Sequence, residues 1–199
     1  DAGSTGSRVH LFNYKTQSSD PSTNLQEINF YGNSSNKSKT PIVDTDLKDP
    51  LGTFEAPFQL ALNYLTDNKI DLDHVWIAVY STAGMRNLKK TDPTKADAIN
   101  NAIKLKLTSL YPTLMETEVR TIEGQEEALY AWLDVNFLKN NFTAGAHTNG
   151  VVDVGGASTQ IAYEVPASYK PSEEHIQQLN LFNKTYFLYL NSLLGGGQD

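Results

Sequence analysis

Apolar residues recur along this chain in two rhythms. Phe54, Phe58, Ala61, Leu62 and Leu65 return at helical spacing and predict a first amphipathic helix. Thr94 can cap a second, whose face is Ile99, Ala102, Ile103, Leu107 and Leu110 before Pro112 stops it. A third begins near Gly124, with Leu129, Trp132, Leu133 and Phe137 on its apolar side. Shorter runs predict strands over 9–14, 26–31, 118–122, 150–154, 159–165 and 176–182. The run 74–80 (HVWIAVY) is nearly continuous apolar, the signature of a strand covered on both faces. Core packing is therefore the expected role of Trp76 and Trp132. The stretches 16–24, 32–41 and 143–150 are polar and read as loops. Strands followed by alternating helices and strands, and then by strands again, predict an α/β fold with mixed sheets flanked by helices. The later strands look like the start of a second copy of the first arrangement, left incomplete.

Two segments stand out from this background. The chain opens DAGSTGSRVHLF, and further on it reads VVDVGGASTQIAY. Each places an aspartate, Asp1 or Asp153, two residues before a glycine, and small hydroxyl residues follow. Glycine lets backbone approach a ligand closely, and successive amides in a tight turn make an anion-binding concavity. Ser4, Thr5, Gly6 and Ser7 supply donors in the first loop. Gly155, Gly156, Ala157, Ser158 and Thr159 supply them in the second. The two aspartates suit a hard cation, Mg²⁺ or Ca²⁺, held through water. One such loop is ordinarily a turn. Two matched loops, each between short strands, point to a polyphosphate gripped from both sides with its metal.

Composition narrows the options. With 16 basic and 23 acidic residues the net charge is −7, which excludes nucleic acid as a bulk partner. No run reaches the length of a membrane span, and no signal peptide is evident. No cysteine is present, so disulfides and thiolate metal sites are excluded. His10, His74, His147 and His175 have no metal-ligand spacing, and no acyl-transfer triad pattern occurs. Sequons at Asn33, Asn36, Asn141 and Asn183 are expected by chance in a chain so rich in Asn, Ser and Thr. A loop of the first kind normally follows a buried strand, and 193–199 (LLGGGQD) reads as a loop going on elsewhere. The chain is therefore expected to be a piece of a longer protein.

Four segments in order, DAGSTGSR at 1–8, STAGMR at 81–86, GQEEALYAWLDVNF at 124–137 and DVGGASTQI at 153–161, resemble the motifs of the apyrases. These are the nucleoside triphosphate diphosphohydrolases, within the actin, sugar-kinase and heat-shock ATPase superfamily. The resemblance implies two ribonuclease H-like lobes around a nucleotide cleft. Lobe I would be 1–122, and 123–199 would supply a connecting helix and the start of a truncated lobe II. It implies metal-dependent removal of the terminal phosphate from nucleoside tri- and diphosphates, outside the cell or in a secreted form. Members from animals and plants usually carry disulfides, so a cysteine-free chain resembles the bacterial branch. Departures are Ala128 and Ala131 where many members have glycine, and Ser81 where alanine is common.

Glu126 and Glu127 both fall in the first turn of the third predicted helix, where the macrodipole favours an ionised carboxylate. The residues alone leave open which one caps the helix and which faces inward. Motif position selects Glu127 as the base that activates water, and Ser158 and Gln160 as the residues that help aim it. Thr82 and Ala83, at the end of strand 74–80, would offer a hydroxyl and an amide to the terminal phosphate. Arg8 and Arg86 are placed to meet transition-state charge, although each lies past its loop and more readily forms a structural ion pair. Two other readings stand beside this one: an exopolyphosphatase of the same superfamily, and a module that binds nucleotide without turnover. The TAGMR stretch together with Ala157, Ser158 and Gln160 leans against the first, and Glu127 against the second.

Overall fold

The computed structural model describes residues 1–15, 25–143, 145–169 and 174–198. The loop expected over 16–24 lies outside them. The chain forms two compact units, Asp1–Ile122 and Glu123–Asp199.

The first unit is organised on a five-stranded mixed sheet. Strands β1 (Ala2–Gly3) and β2 (Gly6–Arg8) form a tight antiparallel hairpin. A separate two-stranded pair follows, β3 (Phe12–Tyr14) with β4 (Leu25–Glu27). Edge strand β5 (Lys37–Ser38) pairs antiparallel with β2. On the other side β6 (Trp76–Ser81) runs parallel to both β1 and β7 (Glu116–Thr121). The sheet order is β5-β2-β1-β6-β7. Helices α1 (Glu55–Asp67), α2 (Ala83–Thr91) and α3 (Pro93–Leu110) accompany it. Ile99, Ile103 and Leu107 of α3 are wholly buried with Ile42 and Met85, as expected of a helix with one apolar stripe.

Several boundaries differ from the sequence reading. The strands expected over 9–14 and 26–31 are three residues each, Phe12–Tyr14 and Leu25–Glu27, and pair with each other in a two-stranded sheet. The cap of α3 is Asp92, whose carboxylate accepts from the Lys95 amide, with Pro93 at the first helical position. Leu110 is exposed, since the stripe has rotated off the core at the last turn. β6 is covered mainly on one face, where Ile77 and Val79 pack against the core, and Trp76 on the other face is 51% exposed rather than core. The helix over 83–91 had no counterpart in the sequence reading.

In the second unit helix α4 (Gly124–Leu138) packs on one face of an antiparallel sheet of order β10-β11-β9-β8. These strands are β8 (Val151–Val154), β9 (Ser158–Glu164), β10 (Ile176–Leu181) and β11 (Lys184–Leu194). The expected mixed pairing therefore holds for the first unit, and the second is antiparallel throughout. Its core is Ala128 and Trp132 of α4 packed on Ala162, Tyr186, Leu188 and Leu190. At 11 residues β11 is the longest strand, and the sequence reading passed over it.

Candidate active site

In the first unit the DAGSTGSR loop is the β1–β2 hairpin, with Ser4 and Thr5 as its two-residue turn between the paired Gly3 and Gly6. Gly6 has φ +147°, and a Cβ there would collide with the Ser38 carbonyl of β5. The STAGMR segment packs directly on this hairpin. The Thr82 amide donates to the Ala2 carbonyl at 3.3 Å, and a Cβ on Gly84 would lie 3.1 Å from Ser4 Cα. Thr82 is the cap position of α2, yet its side chain makes no bond to the helix. The first-turn amides, including that of Ala83, thus bring the positive end of a helix to the loop.

Ser4 is half-buried, Thr5 exposed and Ser7 buried. Ser7 Oγ meets no hydrogen-bond partner among the described residues, a state that costs about 1–3 kcal/mol unless something else binds it. Asp1 is exposed and pairs with Arg8, 3.3 Å away. Arg86 is buried, and its guanidinium donates to the Ile122 carbonyl at 3.1 Å, a structural duty.

In the second unit the two adjacent glutamates divide their work. Glu123 and Glu126 form a reciprocal capping box, in which the Glu123 amide donates to Glu126 Oε2 at 2.9 Å. Glu127, one residue on, points elsewhere: its Oε2 accepts from Gln160 Nε2 at 3.2 Å. The same amide group donates to Ser158 Oγ at 2.7 Å and to Ser192 Oγ at 3.0 Å. A carboxylate can only accept, so it fixes which end of the Gln160 amide faces it. Strand register explains the cluster. Asp153 of β8 lies opposite Gln160 of β9, and Gln160 opposite Ser192 of β11, so the three form one row on one sheet face. The next row, Val151, Ala162 and Leu190, is already apolar. Ser158 and Gln160 are buried, whereas Asp153 is exposed.

The loop between β8 and β9 is backed by the segment 195–198. The Gln198 amide donates to the Gly155 carbonyl at 3.0 Å, and the Gly195 amide to the Ala157 carbonyl at 2.9 Å. The Gly156–Ala157 peptide packs on Gly197, where no Cβ fits. Thr159 Oγ1 donates to the Gly196 carbonyl, so its hydroxyl serves the same backing. No peptide here is cis, and in a trans peptide the N–H opposes the C=O. The amide of Gly156 is therefore turned to the side away from Gln198. It has no backbone acceptor among the described residues.

The structure thus gathers the proposed site residues into two sets. Ser4, Thr5, Gly6, Thr82 and Ala83 come together in the first unit. Asp153, Gly155, Gly156, Ala157, Ser158, Gln160 and Glu127 come together in the second. The sequence reading missed Ser192 and the backing segment. The signal available was an alternation, Tyr186, Leu188, Leu190, that continues to Ser192 on the same face.

The match to known proteins extends over the entire chain. The model of the GDA1/CD39 (nucleoside phosphatase) family matches residues 1–199. The chain belongs to this family. Within it, the chain is 32% identical over 206 residues to a guanosine-diphosphatase of Candida albicans, covering 99% of this chain and 32% of that protein. Identity is 30% to ectonucleoside triphosphate diphosphohydrolase 5 of Gallus gallus, covering 99% of this chain and 45% of that one. The chain therefore spans about a third to under half of the length of these family members. A crystal structure of nucleoside triphosphate hydrolases from Neospora caninum is similar in fold. Its TM-score is 0.65 at 19% identity, covering 99% of this chain and 44% of that one.

Proposed function

We propose that this chain carries the phosphate-binding and water-activating parts of a hydrolase that removes the terminal phosphate from nucleoside tri- and diphosphates. The observation that carries the reading is the Gln160 amide joining Glu127, Ser158 and Ser192, beside a glycine loop whose Gly156 amide is turned away from its backing segment. Family members named as guanosine-diphosphatase and nucleoside triphosphate diphosphohydrolase support the substrate class. Residues 1–122 are lobe I in this reading, and 123–199 a helix and the start of lobe II. The work is extracellular or secreted, in line with the ecto-enzymes among the relatives. Among the described residues no helix is long and apolar enough to cross a membrane.

Each chemical part has a residue. Ser4, Thr5, Gly6, Ser7, Thr82 and Ala83 take phosphate oxygens in the first unit. Gly155, Gly156, Ala157 and Ser158 do so in the second. A water held by Gln160 and Ser158 gives its proton to Glu127 as its oxygen attacks the terminal phosphorus. The bond from that phosphorus to the bridging oxygen breaks, and its electron pair leaves with the shortened nucleotide.

Among the described residues no three His, Asp or Glu side chains gather to hold a metal. The donor set is one exposed carboxylate beside each loop, which suits a Mg²⁺ or Ca²⁺ that keeps most of its water. Asp1 and Asp153 would hold such an ion through water. When bound, it would neutralise charge on the phosphates.

The test follows phosphate release from ATP and ADP with Mg²⁺, comparing wild type with Glu127→Gln. The expected result is two phosphates per ATP, and a loss of about a hundredfold or more in the variant with nucleotide binding retained. Release from polyphosphate and not from nucleotides would assign the exopolyphosphatase activity instead. Binding of ATP without cleavage would make the chain a binding module.

A further inference from the structure

We infer that Ser192 is a positioning residue for the hydrolytic water, acting through Gln160, and that Gly124 is glycine in order to admit it. The inference rests on the reading of Glu127, Ser158 and Gln160 given above. Ser192 lies outside all four motif segments, on the strand that the sequence reading passed over.

The geometry is specific. A carboxamide NH₂ has two hydrogens, and the Gln160 nitrogen has three acceptors within reach. The two serine oxygens lie closer, at 2.7 and 3.0 Å, than the Glu127 carboxylate at 3.2 Å. One serine precedes Gln160 on its own strand, and the other faces it across the β9–β11 ladder. The side chain is thus tied from two directions, which fixes the plane of its amide. Without Ser192, a single hydroxyl and a longer bond to Glu127 would hold a side chain with three rotatable bonds.

Gly124 is the second observation. A Cβ at Gly124 would overlap both Cβ and Oγ of Ser192. Gly124 is the first residue of α4, where alanine would be the better helix former. Its missing side chain lets the start of α4, and with it Glu127, settle against β11 at the row of Asp153, Gln160 and Ser192. Alanine at 124 would force either the serine or the helix start to shift.

The test measures kcat and KM for nucleotide hydrolysis in the full chain with Ser192→Ala, Gln160→Ala and the double variant, and with Gly124→Ala. Ser192→Ala deletes one hydroxyl, and a thermal melt checks that the fold is kept. The expected result is a fall in kcat of about ten- to a hundredfold with KM within about twofold, the scale of effect of slight misplacement of a reacting group. In the Gln160→Ala background Ser192→Ala has no further effect, because the serine acts through that amide. Gly124→Ala reproduces the loss in kcat. A wild-type rate in Ser192→Ala, or an equal loss in both backgrounds, would overturn the inference while the role of Glu127 stands. A wild type that releases no phosphate would overturn the functional reading and this inference with it.

Discussion

The hairpin loops of the two units look alike in sequence, and they differ in what is packed on them. In the first unit β1–β2 is flanked by parallel strand β6, and the start of α2 comes to the loop at Thr82. Its acidic residue, Asp1, is engaged by Arg8. In the second unit β8–β9 is extended by antiparallel β11, and α4 brings a carboxylate to the sheet face. In the proposed function the first loop holds an anion, and the second holds one with a proton acceptor beside it. Two Asp-x-Gly hairpins of like sequence thus differ in what the neighbouring helix start brings to them.

The largest effect that bears on this contrast concerns the support of the second loop. Trp132 is wholly buried against Tyr186 and Phe142, beneath the polar row. Trp132→Ala is expected to destabilise the second unit by about 3–5 kcal/mol, read as a lowered midpoint in a denaturant melt. A melt unchanged by that substitution would show that the α4 packing is not what holds the row.

Next come the glycines that back each loop. Gly6→Ala and Gly197→Ala each place a Cβ against backbone, Ser38 in one case and Gly156 in the other. Both are expected to raise KM for nucleotide by about tenfold or more, the scale of one or two lost charge-assisted hydrogen bonds. Steady-state kinetics on each variant would check this.

Smaller still is the effect of the helix cap. Glu126→Ala opens the capping box and should cost about 1 kcal/mol of stability, with kcat within about twofold, in contrast to its neighbour Glu127. A large loss of kcat would mean that the two glutamates had been assigned the wrong way round.

The smallest effect is a control in the first unit. Arg120 and then Tyr80, by hydrogen bonds, hold the Glu118 carboxyl below its ordinary value. A lowered folded value means the stabilisation is full above the ordinary glutamate range, near about pH 4.3, and is lost as pH falls through the folded value. At a partly exposed site it is worth under about 1 kcal/mol. Glu118→Gln should remove that pH dependence and leave the second unit's melt unchanged.

Much of this could be read from local pattern. The helix over 55–67 announces itself by period, and both loops by glycine beside small hydroxyl residues. The cap of α3 is Asp92 and not the expected Thr94, although Pro93 directly after Asp92 already marks the first helical position. The short helix at 83–91 was hidden because it starts Ala-Gly and has too few apolar residues to show a period. Ser192 was hidden for a different reason. Its meeting with Gln160 depends on the pairing of β9 with β11, 32 residues apart, and no local pattern encodes that register. Trp76 misled because an apolar run shows only that a strand can be buried, not whether both of its faces are covered.

The division of labour between the two loops can be tested in one experiment: kcat and nucleotide Kd measured side by side for Glu127→Gln and Thr82→Ala. The account predicts that Glu127→Gln loses about a hundredfold or more in kcat with Kd nearly unchanged. Thr82→Ala should weaken Kd by about tenfold, the worth of one hydrogen bond to a charged group, and keep most of its kcat. The reverse pattern, with turnover lost in Thr82→Ala and kept in Glu127→Gln, would contradict it.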